Sequence, residues 1–184
     1  ATDYPYETIV ELTANPSDGW NFIEWSGDIS GSTNAVQITI NSNKNVTARF
    51  AKIYLNENGV TIMCPNAQVG EKGFVDGVEY EVVDRDLLNQ KRDAGLDLTK
   101  VCVSLVTDMS NLFSESSFNQ DIGNWDVSSV KSMSGMFYKS SFNQDIGNWD
   151  VSNVTSMYNM FSRTPFNQDI GGWDVSNVLD MGRM

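Results

Sequence analysis

Apolar residues in the second half of the chain recur at fixed positions with a period of 24 residues. The phrase FNQDIG begins at Phe118, Phe142 and Phe166, and a WDVS phrase follows each copy at the same distance. Methionines recur at the same period, at Met109, Met133, Met157 and Met181. A constant period without insertions predicts a repeat architecture, in which each unit buries its apolar face against its neighbours.

The apolar spacing within one unit predicts its local structure. Ile122, Trp125 and Val127 reproduce the L-x-x-L-x-L spacing of a leucine-rich repeat, and the alternation of Trp125 with Val127 predicts a short strand. The next apolar residues follow at steps of three and four, which predicts a helical turn; they are Val130, Met133, Met136 and Phe137. Ser129, Asn153 and Asn177 precede these turns as predicted N-caps.

These patterns predict a mainly β protein with short helices (α+β), whose residues 106–184 form a leucine-rich-repeat-like solenoid. The columns of Trp, Phe, Ile and Met residues are predicted to form its core, since no single unit can bury its own apolar face. A column of tryptophans that stacks on sugars is the alternative interpretation.

Polar residues between the apolar positions predict an outward strand face that could bind a partner. Its candidate residues are Asn124, Asp126, Ser128, Asn148, Asp150, Ser152, Asp174 and Ser176. Like charges in register repel unless they are hydrated, paired or bridged by a cation. A second acidic column, Asp121, Asp145 and Asp169, supplies weak calcium candidates, although bonding to nearby backbone amides is the more usual use of Asp at a bend. Apart from calcium, no cofactor is predicted.

Charge and composition exclude several classes of function. The net charge of −12 opposes binding to nucleic acid or to anionic lipid. The chain has no histidine, which removes the commonest general base and the commonest metal ligand. No apolar run is long enough to insert into a membrane. We therefore expect a protein that is not an enzyme.

The segment before the repeats, residues 53–105, is predicted to contain linker strands, a helix and a degenerate capping coil. Short strands are expected at YLN, VTIMC and VEYEVV, and an amphipathic helix is expected over residues 84–95. Cys64 and Cys102 are predicted to form a disulfide if the protein is exported, with two free thiols as the alternative.

The first 52 residues differ in composition from the rest and predict a small β module. Strands are expected at VELTAN, NFIEW, VQITI and NVTARF. Trp20, Phe22 and Trp25 are predicted to form its core, with exposed aromatics that stack on glycans as the alternative. Two glycosylation sequons begin at Asn45 and Asn153 and carry no weight in a bacterial protein.

The motifs resemble two families. FNQDIGNWDVSNVTSM, VTDMSNLF and the entry segment ENGVTIMCPNAQVGEKGFVDGVEYEVV are similar to the BspA-like leucine-rich-repeat surface proteins of bacteria, over residues 53–184. Residues 10–50 resemble the divergent internalin B-type repeat, a small β-grasp-like module, without its usual first strand. The resemblance implies an exported protein of the cell envelope and no catalytic residues.

We therefore expect a non-catalytic, secreted or cell-surface adhesion module that binds a host or neighbouring-cell protein or polysaccharide. The alternative is a structural spacer or anchor within a larger surface protein or exported enzyme. Because the pattern stops at Met184, one residue before an expected Phe, we also expect further repeats or domains in the natural polypeptide.

Overall fold

The N-terminal module consists of two antiparallel strand pairs. The computed structural model describes residues 3–184, and its first strands are β1 (Thr8–Leu12), β2 (Asn21–Gly27), β3 (Val36–Ile40) and β4 (Val46–Ala51). Strand β1 pairs with β3, and β2 pairs with β4. The four strands predicted for this module are confirmed, and no helix lies within residues 3–52.

The aromatic core of this module is smaller than predicted. Trp25 is buried, and its ring lies 5.1 Å from that of Phe22, which in turn lies 6.0 Å from Phe50. Trp20, in contrast, is 45% exposed, so its assignment to the core is wrong. It lies just before β2, after a turn at Gly19, and therefore outside the alternation that buries its neighbours.

A capping segment joins this module to the repeats. It contains β5 (Tyr54–Leu55), β6 (Ile62–Met63), β7 (Lys72–Val75), β8 (Val78–Val82), α1 (Arg85–Asp93) and β9 (Val101–Cys102). Strands β5 and β6 form one antiparallel pair, while β7, β8 and β9 form a three-stranded sheet. The predicted strands and helix are confirmed. Strand β7 was not predicted, although the Asp76-Gly77 turn indicates a hairpin whose first strand is β7.

Helix α1 begins and ends where its capping residues predict. The Asp84 carboxylate accepts a hydrogen bond from the Leu87 amide at 2.9 Å, and Gly95 follows the C-terminus with a φ of +67°. Leu88 is fully buried and joins the helix to the core of the repeats.

The predicted disulfide between Cys64 and Cys102 is confirmed. The two Cα atoms lie 6.2 Å apart, and both residues are fully buried. They belong to a small apolar cluster with Ile53, Ile62 and Val82, which is separate from the core of the repeats. The disulfide thus joins the residue that follows β6 to β9 within the capping segment.

One apolar core runs through successive repeats and confirms the predicted columns. Its members include Trp125, Trp149, Trp173, Phe113, Phe137, Phe142, Ile122, Ile146, Met109, Met133 and Met157. Each indole N–H donates to a carbonyl of the preceding repeat: Trp149 Nε1 donates to Ile122 O at 3.2 Å. Because the indoles are buried and bonded in this way, the sugar-stacking interpretation of the column is wrong for these tryptophans.

The strand and the helical turn predicted within each repeat are wrong. At the predicted strand, the Trp125 amide bonds to Ile122 O at 3.1 Å, which closes the segment into a turn. At the predicted helical turn, the Met133 amide instead donates to Ser156 O of the next repeat at 2.9 Å. Gly135, with a φ of +63°, prevents the continuous right-handed backbone that a helix requires.

Contacts between repeats therefore form at a position where helix was expected. Parallel bridges connect Asp108 with Ser132, Ser132 with Ser156, and Ser156 with Asp180. The predicted N-caps also serve this stacking: Asn153 Nδ2 donates to Ser128 O at 2.9 Å, and Asn177 Nδ2 donates to Ser152 O at 2.7 Å. Successive repeats thus stack in register.

Candidate interaction face

The candidate face consists of the polar residues in the WDVS segments of three successive repeats. In the first copy, Asn124 and Ser128 are half-buried and Asp126 is buried, whereas the second copy exposes Asn148 and Asp150. The third copy exposes Asp174 and Ser176. The predicted outward face is therefore open only from the second repeat onward.

Asp126 was predicted to be exposed on the outward face, and it is buried instead. Its side chain is 3% exposed because the β5–β6 hairpin covers it. The carboxylate accepts hydrogen bonds from the amide and the hydroxyl of Ser128, at 3.1 and 2.6 Å. Burial raises the pKa of Tyr54, and the negative charge of Asp126 raises it further, as expected of a buried carboxylate beside a phenol.

Asn124 is also held within the structure. Its Nδ2 donates to Thr99 O at 3.1 Å, and its buried Oδ1 has no hydrogen-bond partner among residues 3–184. The equivalent residue in the next repeat, Asn148, is exposed, and no side-chain hydrogen bond holds it in the described part of the chain. The two asparagines are therefore equivalent in the repeat, but only the Asn148 side chain is free to bind a partner.

The aspartates of the second and third repeats each commit one oxygen to their own turn. Asp150 accepts from the Ser152 amide at 3.1 Å, and Asp174 accepts from the Ser176 amide at 3.0 Å. The amide and then the hydroxyl of Ser176 hold the pKa of Asp174 below its ordinary value. These residues are exposed, and the second carboxylate oxygen of each remains available to a partner.

The predicted calcium candidates bond to backbone amides. Asp121, Asp145 and Asp169 accept hydrogen bonds from the glycine amides two residues later, at 3.1, 2.9 and 2.8 Å. Within residues 3–184, no group of three or more carboxylate or cysteine side chains is placed to hold a metal ion. The geometry of this column is that of a turn-forming aspartate.

The face is bordered by the capping segment, which sequence reasoning did not place. An open groove of about 580 Å³ lies between Val60 and Tyr80 of the cap and Asp121, Asp145 and Asn148 of the repeats. A smaller groove of about 140 Å³ lies between Thr61 and Met63 of the cap and Asp150 of the second repeat. In the sequence, only Cys102 indicates that the capping segment lies beside this face. Cys102 occupies the repeat position of Asp126, so its disulfide partner must lie outside the core of the repeats.

Comparison with family models identifies both parts of the chain. Residues 85–184 match the model described as Mycoplasma protein of unknown function, DUF285. The chain belongs to the DUF285 family. Residues 1–54 match the divergent InlB B-repeat domain, in agreement with the internalin B-type resemblance. No curated protein and no solved structure matches the chain significantly.

These two domain types are typical of bacterial surface proteins. In the described range, no helix has the length and apolar character that crossing a membrane requires. The chain thus combines an InlB-type module with a DUF285 region, and a disulfide ties Cys102 of the DUF285 region to Cys64 in the segment that precedes it.

Proposed function

We propose that this DUF285 chain is a non-catalytic module of the bacterial cell surface, which binds protein or polysaccharide through the exposed face of its repeats. In this proposal, residues 106–184 form a leucine-rich-repeat-like solenoid related to those of BspA-like surface proteins. The parallel bridges at Ser132 and Ser156 support the solenoid, because they connect equivalent positions of neighbouring repeats. The buried disulfide suits a protein that is exported to an oxidising environment.

The observation that carries the binding function is the free polar surface of the second repeat. In the first repeat, Asn124 is hydrogen-bonded to the cap and Asp126 is buried. In the second repeat, the Asn148 side chain and one carboxylate oxygen of Asp150 make no hydrogen bond within the described chain. Exposed polar groups on a rigid scaffold can bind a partner without large ordering costs. The partner would be a protein or polysaccharide of a host or a neighbouring cell.

A structural spacer is the second candidate. Residues 118–130 and 142–154 are nearly identical, and a binding surface usually diversifies its repeats. In this case the chain would hold another domain of the same polypeptide away from the cell envelope.

An array of glycans and extracellular proteins tests the choice between the two functions. The labelled chain is compared with the double variant Asn148→Gly and Asp150→Asn, which copies the glycine at position 172 and keeps the acceptor for Ser152. A binding module gives saturable binding that the double variant loses. A matched pair on another column, Glu115→Gln with Lys139→Gln, should leave binding unchanged. If the wild-type chain binds nothing on the array, the spacer function is favoured instead.

A further inference from the structure

An extended segment of this chain already binds to one repeat through its backbone. Strand β6 forms a parallel bridge between Ile62 and Trp125, in which the Ile62 amide donates to Asn124 O at 2.8 Å. This hydrogen bond joins the capping segment to the WDVS region of the first repeat, outside the core. The first repeat therefore shows how a peptide strand can bind at this position.

The second repeat presents the same backbone conformation without a partner. The Trp125, Trp149 and Trp173 amides each bond to the carbonyl three residues earlier at 3.1 Å, so the turn is repeated. The carbonyl of Asn148 stands at the position of the Asn124 carbonyl. Throughout residues 3–184 it accepts no hydrogen bond, in contrast to its equivalent in the first repeat. One backbone acceptor is thus free where the first repeat has β6.

Space for a strand exists on both sides of this carbonyl. Asn148 borders both the groove of about 580 Å³ beside Tyr80 and the groove of about 140 Å³ beside Thr61 and Met63. The cap forms one wall of each groove, and the first and second repeats together form the other. A peptide bound here would lie next to β6 and face the side chains of both walls.

The charge of the two walls favours a basic partner. Asp121 and Asp145 line the larger groove, and Asp126 and Asp150 line the smaller one. Lys100 is the one cation among the residues that line these two grooves, and it is paired with Asp97 at 3.4 Å. Carboxylates that keep an unused oxygen form strong hydrogen bonds with lysine or arginine.

We propose that the second repeat binds an extended, lysine- or arginine-rich peptide by strand addition at the Asn148 carbonyl. Backbone hydrogen bonds supply part of the affinity, and the aspartates favour a positively charged peptide. This inference rests on the proposed binding function, because it names the partner class for the same face.

Binding of a synthetic probe tests the proposal. The probe is a fluorescent eight-residue peptide in which lysine and valine alternate, measured by anisotropy with the full 184-residue chain. One control peptide carries the same side chains with every backbone amide N-methylated, which removes all of the backbone donors and keeps the charge. A second control replaces each lysine with glutamate.

The proposal predicts that N-methylation weakens binding about tenfold or more, and that the glutamate peptide does not bind. The protein variant Asp145→Asn with Asp150→Asn should bind the probe at least about fivefold more weakly. Asp3→Asn with Asp18→Asn changes the net charge equally in the N-terminal module and should bind within about twofold of wild type. In a labelled sample, the carbonyl of Asn148 should show one of the largest ¹³C shifts on titration.

Three results would overturn the proposal. Equal affinity for the N-methylated peptide means that charge alone attracts the probe, and equal affinity of the Asp145 and Asp150 variant places the probe elsewhere. Absence of saturable binding removes the site altogether. If the array ligand depends on Asn148 and Asp150 while the probe does not bind, the proposed function stands and only the strand-addition mode is wrong.

Discussion

Gly147→Ala should destabilise the chain because its new methyl group meets the backbone of the next repeat. A Cβ built at Gly147 lies 2.7 Å from Asp169 O and 3.3 Å from the Asp145 carboxylate. An ordinary carbon–oxygen contact is at least about 3.4 Å, so two stacked backbones must separate by about 0.7 Å. Overpacking of this kind costs about 1–3 kcal/mol.

The same substitution at Gly171 is a matched control. The surrounding phrases are DIGNW and DIGGW, and a Cβ at Gly171 meets the Asp169 carboxylate at 3.1 Å but no backbone of another repeat. Alanine reduces the entropy of the unfolded chain by a similar amount in both variants. The difference between their free energies of unfolding therefore isolates the contact with the next repeat.

Denaturant titration, followed by the fluorescence of the buried tryptophans, measures that difference. We expect Gly147→Ala to unfold at lower denaturant than Gly171→Ala, by about 1–3 kcal/mol in free energy. For a chain of this size, each kcal/mol corresponds to about 2–4 °C in melting temperature. Equal stability of the two variants would refute the close stacking of repeats at this position.

Three further predictions follow from the core, the disulfide and the last repeat. Trp149→Ala should lose about 3–5 kcal/mol of stability because it removes a buried indole and its hydrogen bond, and a melting temperature within a degree or two of wild type would contradict its burial. Protein from an oxidising host should show no alkylation of Cys64 or Cys102 by intact mass before reduction, and two alkylated cysteines would contradict the disulfide. Amides of residues 170–184 should exchange much faster than those of residues 122–154, because the last repeat exposes apolar side chains, and equal protection in a monomeric sample would contradict this.

The sequence was sufficient to predict which residues are buried in the repeats. The 24-residue period sets the columns of Trp149, Phe142 and Met133, and burial follows from the inability of one unit to cover its own apolar face. Period alone does not determine backbone conformation, however. Steps of three and four residues are shared by a helix and by a tight coil whose amides bond to the next repeat, as Met133 does.

The candidate face was predictable in position but not in exposure. Repetition makes Asp126 and Asp150 equivalent in sequence, yet the β5–β6 hairpin covers only the first of them. That difference depends on a contact between residues 62 and 125, which no local pattern encodes. The disulfide from Cys64 to Cys102 was the one long-range constraint that the sequence offered.

Scalar couplings across hydrogen bonds give the most direct test of the proposed solenoid. In a ¹⁵N,¹³C-labelled chain, the amide nitrogen of Met133 should couple to the carbonyl carbon of Ser156, and that of Met157 to the carbonyl of Asp180, since these N–O distances are 2.9 and 2.8 Å. Such couplings, repeated between equivalent residues, require repeats that stack in register. Couplings from the same amides to carbonyls four residues earlier would instead indicate isolated helical turns and would contradict the account.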